Sequence, residues 1–249
     1  MPNETISILA LLFVLVGALY ASVGHAGASG YIALMALMGV NTAMMRPTSL
    51  TINVLVATIA FVQFARAGHF SWRLTWPFLA TSVPAAFLGG TLELPATALR
   101  GAIGIALLCA AGRILWITRS TLRDAQQPVQ PSVRTCLAIG AAIGLFSGLT
   151  GTGGGILLSP VLLLLAWADP KRTAACSACF ILVNSAAGLA GLCVDGAEIP
   201  EGIAPLVVAA GCGGLVGASI GSRSLNFASL RGVLACVLVI AGVKLTLVG

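Results

Sequence analysis

Long runs without any charged residue restrict the fold of this chain more than any other feature of its sequence. Four of these runs match one membrane-spanning helix in length: residues 47–65, 74–92, 173–194 and 202–222. The core of a bilayer requires about 20 apolar residues per helix. Only 8% of all residues are charged, against about 25% in soluble domains. Lipid must therefore replace water around most of the surface, and the sequence predicts an all-α integral membrane protein.

Two further uncharged runs, residues 5–45 and 135–168, are too long for one helix. As a single helix, the shorter of these runs would extend about 51 Å, against a hydrocarbon core of about 30 Å. Each run contains one glycine-rich break, at residues 24–30 and 151–155 respectively. Each chain segment must therefore turn back or cross twice at its break.

The remaining apolar segments are residues 97–118 and 229–248, which carry Arg113 and Lys244 near their C-terminal ends. Such long basic side chains reach the interface from inside a helix end. The total is ten helical segments, of which those at 31–45 and 156–168 are unusually short. The first segment lacks the basic start of a secretory signal, so we expect it to be retained.

Self-comparison of the sequence indicates an internal duplication. Short matches recur in order, at offsets that drift slowly from 127 to 131 residues, as small insertions after a duplication would produce. The pairs are Gly24 and Gly151, Thr48-Ser49 and Cys176-Ser177, Pro77 and Pro205, Gly89 and Gly217, and Leu99-Arg100-Gly101 and Leu230-Arg231-Gly232. The predicted organisation is a first repeat at 1–118, a polar cytoplasmic linker at 119–133 and a second repeat at 134–249. Five segments per repeat is an odd number, so the two repeats are predicted to be inverted in the membrane.

The net charge of +6 indicates how the chain is oriented in the membrane, and we expect no nucleic-acid partner. The segment order places nine basic residues on one side of the membrane and only two, Arg46 and Arg100, on the other. The nine are Arg66, Arg73, Arg119, Arg123, Arg134, Lys171, Arg172, Arg223 and Arg231. By the positive-inside rule the first side is cytoplasmic. We therefore expect a multi-pass protein of the bacterial inner membrane with both termini in the periplasm.

The seven cysteines do not suggest a disulfide framework or a metal site. All lie in or beside apolar segments, and their number is odd. Cys176 and Cys179 form a Cys-x-x-Cys pair that has no second ligand pair at a suitable spacing. We interpret them as small buried hydrophobic residues.

The two glycine-rich breaks are the predicted substrate site. A half-helix that begins at Gly153–Gly155 would aim free backbone N–H groups and a partial positive charge at the preceding turn, which suits an anion. The pairs Gly89-Gly90 and Gly213-Gly214, with Gly217, are instead typical of close helix packing.

Polar side chains on the third segment and its counterpart are predicted to join this site, because a buried amide or hydroxyl needs a partner. His25 could carry a proton or bind an oxyanion near neutral pH, or could serve only as a structural hydrogen-bonding group. Arg46 is expected at the interface, where it could recruit an anion to the outer vestibule. Ser185 directly follows Asn184 on the counterpart segment and is a weaker candidate than the amide. The predicted substrate-binding residues are Gly24, His25, Gly27, Ser29, Ser49, Asn53, Gly151, Thr152, Gly153, Gly154, Gly155, Ser177 and Asn184.

The chain resembles the sulfite exporter TauE/SafE family, also called the 4-toluene sulfonate uptake permease family. The resemblance lies in the stretch Gly148–Gly155, the following Ser159-Pro160-Val161-Leu162, and the basic Lys171-Arg172 before Ala174-Ala175-Cys176-Ser177. The first half departs from the pattern, with Gly24-His25-Ala26-Gly27-Ala28 in place of a Gly-x-Gly-Gly-Gly run. The resemblance implies an inner-membrane transporter for small sulfur-containing anions, without a prosthetic cofactor.

Together these features predict a secondary transporter, and not an enzyme, that moves sulfite, sulfoacetate or a related organosulfonate by alternating access, with export favoured by the membrane potential. Its partners would be the small anion and the lipid bilayer. A proton as coupling ion and a homo-oligomeric state stay open. The alternatives are an anion channel, a carrier for another small oxyanion or carboxylate, and a membrane-embedded enzyme, which would need a cluster of intramembrane acids or a catalytic dyad.

Overall fold

The computed structural model describes residues 3–92 and 130–223, together with the scattered positions 95, 97–98, 101–105, 108, 112, 239 and 243. The secondary structure of these residues is helical, and they contain no strand. Four of their helices are long and apolar enough to cross a membrane. The predicted all-α integral membrane fold is thereby confirmed. Most of the predicted segments 97–118 and 229–248, and residues 119–129 of the predicted linker, lie outside the described residues.

The first four helices follow one another through short connections. They are α1 (Asn3–Ala21), α2 (Ala28–Leu37), α3 (Thr42–Arg66) and α4 (Trp72–Thr91). The side chain of Asn41 caps α3 by accepting a hydrogen bond from the backbone N–H of Ala43 at 3.0 Å, which satisfies one free amide of the first turn. Helix α3 therefore begins before Arg46 and includes it, whereas the charge pattern placed the start of this segment after Arg46.

The next four described helices repeat this series of lengths. They are α5 (Val133–Thr150), α6 (Gly155–Leu164), α7 (Pro170–Val194) and α8 (Ala204–Arg223). The first series has 19, 10, 25 and 20 residues, and the second has 18, 10, 25 and 20. Equal order and nearly equal length are what a duplication would produce. The inverted repeat itself stays a prediction.

The two longest helices, α3 and α7, pack against each other in opposite directions. Leu50 lies beside Gly188, Asn53 is hydrogen-bonded to Ser185, and Phe64 packs with Ala174 and Ala175. Residue numbers thus rise along α3 while those of their contacts fall along α7, so the helices are antiparallel. Asn53 lies close to the middle of α3, which places its contact with α7 near the centre of the bundle.

Two other helix pairs are held together by glycines at every fourth residue. On α5 these glycines face backbone carbonyls of α4: Gly140 faces Phe78, Gly144 faces Ser82, and Gly148 faces Ala86. On α8 they face carbonyls of α1 and of the residue after it: Gly213 faces Val14, Gly217 faces Ala18, and Gly221 faces Ser22. A Cβ at any of these positions would overlap the facing carbonyl oxygen. Gly89 and Gly90 also lie against backbone atoms, of α5 and α7 respectively. The interpretation of these glycines as packing residues is therefore confirmed.

Both predicted glycine-rich breaks are present. The first separates α1, which ends at Ala21, from α2, and the second separates α5, which ends at Thr150, from α6. Left-handed backbone occurs at Gly24 and Gly27 in the first break and at Gly151, Gly153 and Gly154 in the second, a conformation that glycine adopts without steric cost. The 10 residues of α2 or α6 rise about 15 Å, half the thickness of a bilayer core. This length suits a re-entrant arm.

Candidate substrate-binding site

The second break lies against polar side chains of both α3 and α7. Ser49 donates a hydrogen bond from Oγ to the carbonyl oxygen of Gly151 at 2.7 Å. A Cβ at Gly153 would lie 2.7 Å from Nδ2 of Asn53 and 2.9 Å from Oγ of Ser185. Asn53 itself donates from Nδ2 to Ser185 Oγ at 3.2 Å. Only a glycine allows the backbone to approach this buried polar pair so closely.

The first break reaches the second through His25. Its Nε2 lies 3.1 Å from the carbonyl oxygen of Gly155 and 2.9 Å from Oγ of Ser159. Ser159 Oγ in turn lies 2.7 Å from Oγ of Ser177 on α7. His25 and these two serines are buried. The structure thus brings together His25, the start of α6 and Ser177, three features that the sequence assigned to one site.

The hydrogen bonds around His25 depend on how many protons its ring carries. Nδ1 lies 3.0 Å from the carbonyl oxygen of Val23, and Nε2 faces the carbonyl of Gly155. Carbonyl oxygens only accept, so a ring with a proton on both nitrogens satisfies both of them. A neutral ring has one N–H; if that proton is on Nδ1, Nε2 accepts from the hydroxyl of Ser159, which then no longer donates to the carbonyl of Gly155. Protonation of His25 therefore changes the hydrogen bonds between the first break and α6.

Other predicted residues of the site have local partners. Ser29 pairs with the hydroxyl of Tyr20 at 2.6 Å, and Thr152 pairs with Thr150 at 2.9 Å. Asn184 donates from Nδ2 to the carbonyl of Phe180, one turn back in its own helix, at 2.8 Å. These contacts stay within one half of the chain.

Gly24 and Gly27 in the first break have packing partners. Gly24 lies against the backbone of Ala174 at the start of α7, and Gly27 lies against the ring of Tyr31. Their left-handed backbone and close contacts account for glycine at both positions.

Several buried side-chain oxygen atoms of α3, α5 and α7 have no hydrogen-bond partner among the residues that the structure describes. They include Oδ1 of Asn53, Oδ1 of Asn184, Oγ1 of Thr48 and Oγ of Ser147. A Cβ at Gly154 would lie 3.2 Å from Cβ of Ser147, so this serine borders the second break. Leaving a buried polar atom unpaired costs about 1–3 kcal/mol. The sequence predicted both asparagines in the site, and the unpaired atom of each is an acceptor. A water, or a substrate that carries its own proton, would supply the missing donor.

The starts of the two short helices are also left without side-chain caps. The N-cap of α2 is Gly27 and that of α6 is Gly154, and neither contributes a side-chain hydrogen bond to the helix start. The first backbone N–H groups of a helix have no partner inside the helix and carry a partial positive charge. Both helix starts therefore offer donors to an anion.

Arg46 was expected at the outer interface, and its vestibule role stays a prediction, but the structure gives its side chain partners within the protein. It is buried and donates to four backbone carbonyls: from Nε to Gly148 at 3.0 Å, from Nη1 to Leu92 at 3.3 Å, and from Nη2 to Gly89 and Gly90. These carbonyls belong to the C-terminal ends of α4 and α5, which carry a partial negative charge. The guanidinium thus fastens α3 to both helix ends. The charge pattern could not reveal this, because its partners are uncharged backbone atoms.

Ser159 and Ser185 were not in the predicted set, although both touch residues that were. Ser159 lies four residues after Gly155, so it occupies the same face of α6 and donates to the Gly155 carbonyl at 3.0 Å. This spacing is visible in the sequence and could have identified it. Ser185 could have been chosen over Asn184 only with knowledge of how α7 faces α3.

Cys176 and Cys179 behave as small apolar residues. Both are buried within the same hydrophobic cluster as Phe180 and Leu158. Cys176 donates from Sγ to the carbonyl of Ser71 at 3.9 Å. Among the described residues, no group of three or more histidine, cysteine or acidic side chains could hold a metal ion.

Comparison with known proteins identifies the family of this chain. The family profile described as sulfite exporter TauE/SafE matches residues 9–245. The chain belongs to this family. The match includes both glycine-rich breaks and all eight described helices except the first residues of α1. The family assignment agrees with the resemblance found in the motifs around residues 148–177.

A relative in Sinorhizobium fredii (strain NBRC 101917 / NGR234) carries the name probable membrane transporter protein y4hK. It is 39% identical to this chain over 249 residues, which cover 98% of this chain and 99% of the relative. No solved structure matches the chain. This TauE/SafE family member is therefore a multi-pass membrane transporter and not an enzyme, and its partners are a small substrate and the lipids around it.

Proposed function

We propose that this protein is a secondary carrier that exports a small sulfur-containing anion across the bacterial cytoplasmic membrane by alternating access. The substrate class is sulfite, sulfoacetate or a related organosulfonate. Its site lies where the two glycine-rich breaks meet, between α3 and α7. The observation that carries this proposal is the hydrogen bond from His25 of the first break to Gly155 at the end of the second.

The chemistry of this meeting point supports an anionic substrate. Two uncapped helix starts, those of α2 and α6, contribute backbone donors without a full positive charge that would hold the anion too tightly. Interrupted helices at membrane depth are tolerated only where protein covers them or where they line a cavity. The hydroxyls of Ser49 and Ser177, which are fully buried, would add further donors once their present partners are released.

Alternating access requires two halves that can move against each other. The matched helix lengths in the two series and the antiparallel packing of α3 with α7 support two inverted repeats related by an axis near the middle of this pair. Inverted repeats of this kind place the substrate near the bilayer midplane. In this proposal, the halves rock around the α3–α7 contact.

The membrane potential favours export. Moving one elementary charge through 100 mV changes its energy by about 2.3 kcal/mol, so an anion leaves an inside-negative cell downhill. Import would need a coupling ion. His25 is the proposed proton carrier, because its protonation exchanges the hydrogen bonds that connect the first break with α6.

Purified protein in proteoliposomes tests the proposed function directly. We expect saturable flux of radiolabelled sulfite or sulfoacetate, accelerated by a potential that drives the anion out of its starting compartment and altered by a pH gradient. Liposomes without protein are the control. Absence of flux for every sulfur-containing anion would refute the substrate assignment, and fast flux without saturation would indicate a channel.

A further inference from the structure

A cavity of about 490 Å³ lies outside the glycine-rich breaks, and no residue of either break lines it. Its wall includes Ser71 before α4, Val133 at the start of α5 and Arg172 in the first turn of α7. Three helices thus begin around it. Its volume lies within the range of about 300–1,000 Å³ that is usual for small-molecule sites.

The charges on the wall of this cavity are positive. Arg73 and Arg172 both line it, and none of the described residues on its wall is acidic. Arg172 has an acidic neighbour, with Nε 3.8 Å from Oδ2 of Asp169. Asp169 also accepts from the backbone N–H groups of Lys171 and Arg172, so its charge is already engaged at the start of α7. An anion in the cavity would therefore meet a net positive wall.

The helix starts add to this positive potential. Neither Ser71 before α4 nor Ser132 before α5 makes a capping hydrogen bond through its side chain. The first amides of both helices are thus left for other acceptors. Their partial positive charge acts in the same direction as the two arginines.

Two tryptophans make the cavity suitable for an organic anion. Trp76 and Trp167 line its wall beside the arginines, and Trp167 packs against Phe78 with ring centroids 6.3 Å apart. Indole rings present a large apolar face to a carbon skeleton, and the planar guanidinium of an arginine can donate two parallel hydrogen bonds to two oxygen atoms of an oxyanion. A site with both features fits a sulfonate that carries a short carbon group.

A short apolar barrier separates the cavity from the site at the breaks. Arg172 and Ser177 lie five residues apart on α7, a rise of about 7.5 Å. Between them, Cys176 belongs to a buried hydrophobic cluster with Phe78, Leu158 and Phe180. An anion in the cavity is thus near the His25–Ser177 network but separated from it by apolar side chains.

We propose that this cavity is the capture site for the substrate on the cytoplasmic side, where a small organic oxyanion binds before it passes the apolar barrier. The proposal rests on the proposed function, and its cytoplasmic side follows from the predicted topology, since Arg73 and Arg172 belong to the basic loops. A phospholipid phosphate shares the anionic chemistry. The two tryptophans on the cavity wall favour a soluble sulfonate with a short carbon group as the occupant.

Transport kinetics with matched variants test this assignment. Arg73→Gln and Arg172→Gln should each raise the KM for sulfoacetate about tenfold when substrate is presented from the cytoplasmic side, which corresponds to the loss of one charge-assisted contact. The kcat should stay within about twofold, because neither arginine touches the site at the breaks. Arg66→Gln and Lys171→Gln remove the same charge from the same side but do not line the cavity, and they should leave KM unchanged.

Binding measurements separate the capture site from transport itself. In nanodiscs of zwitterionic lipid, sulfoacetate should change the tryptophan fluorescence of the protein, and Trp76→Phe and Trp167→Phe together should remove most of that change. Trp72→Phe, at a neighbouring tryptophan outside the cavity wall, is the control. Arg172→Gln should weaken the titration about tenfold. Adding phosphatidylglycerol to the nanodiscs should not abolish the response.

The possible failures are distinguishable. If the unchanged protein transports no sulfur-containing anion, the proposed function fails. If it transports one while the Arg73 and Arg172 variants keep a normal KM, the capture site is refuted and the proposed function stands. If phosphatidylglycerol alone abolishes the fluorescence response, the cavity is a lipid site, and the capture proposal is likewise overturned.

Discussion

Replacing Arg46 tests whether this residue holds the fold together or receives the substrate. Three of its four hydrogen bonds, to Gly148, Gly89 and Gly90, are buried. A hydrogen bond to a charged group contributes about 1.5 kcal/mol at the lower end of its range, so three amount to about 4–5 kcal/mol. The cost of burying the guanidinium offsets part of this sum. We therefore expect Arg46→Met to destabilise the protein by about 2–4 kcal/mol.

The thermal midpoint of the purified protein provides the measurement. A loss of about 1 kcal/mol shifts the midpoint by roughly 2–4 °C for a chain of 150–250 residues, so the expected shift is roughly 4–16 °C. Arg46→Lys is the matched variant, because it keeps the charge but loses the fork that reaches several carbonyls at once. Its midpoint should lie between those of the methionine variant and the unchanged protein.

Transport kinetics below the midpoint complete the test. If Arg46 is committed to the helix ends, the methionine variant that remains folded should keep its KM for the anion. An unchanged midpoint together with a strongly raised KM would refute this reasoning. That result would restore the vestibule role that the sequence suggested.

Three further predictions concern the breaks and the glycine contacts. Gly153→Ala should reduce transport at least tenfold, because its Cβ would strike Asn53 and Ser185. The control Gly68→Ala has the same left-handed backbone but open space around it, so it should retain activity. Equal losses of transport in the two variants would contradict a role for the break. His25→Asn should remove the effect of a pH gradient on flux in proteoliposomes while basal flux persists, and a pH response like that of the unchanged protein would exclude His25 as the proton carrier. Gly148→Ala should lower the thermal midpoint, since overpacking costs about 1–3 kcal/mol. The control Gly188→Ala should leave the midpoint unchanged, because the nearest atom to the added Cβ is 3.4 Å away. An unchanged midpoint for both variants would argue against tight α4–α5 packing.

The sequence predicted the class of fold and the positions of the breaks because both follow from short-range rules. Uncharged runs of helical length can be buried only in lipid, and clusters such as Gly151–Gly155 cannot continue a helix without a conformational cost. The boundaries were less accurate. Helix α3 begins before Arg46 because Asn41 caps it and because backbone carbonyls of α4 and α5 receive the arginine, which no pattern within α3 reveals.

The composition of the site was harder to predict than its location. His25, Ser49 and Asn53 form hydrogen bonds with the other half of the chain, but Ser29, Thr152 and Ser177 bond to their own half. The difference lies in side-chain direction, which depends on how the two halves rotate against each other. Sequence spacing specifies which residues share a helix face, but it does not specify which face meets the other half.

The two ends of the α3–α7 contact are related in sequence but differ in chemistry. Gly151 lies against Arg46 on α3, and Gly24, 127 residues earlier, lies against Ala174 on α7, 128 residues after Arg46. If the halves are repeats, these are equivalent contacts. Only the first includes a guanidinium that fastens neighbouring helices together; the second has a methyl group. Separating α3 from the ends of α4 and α5 would break the four hydrogen bonds of Arg46. The equivalent movement of α7 at Ala174 would break no side-chain hydrogen bond of that alanine. Rocking of two such halves would thus be unequal in energy, so one end of the contact would open more readily than the other.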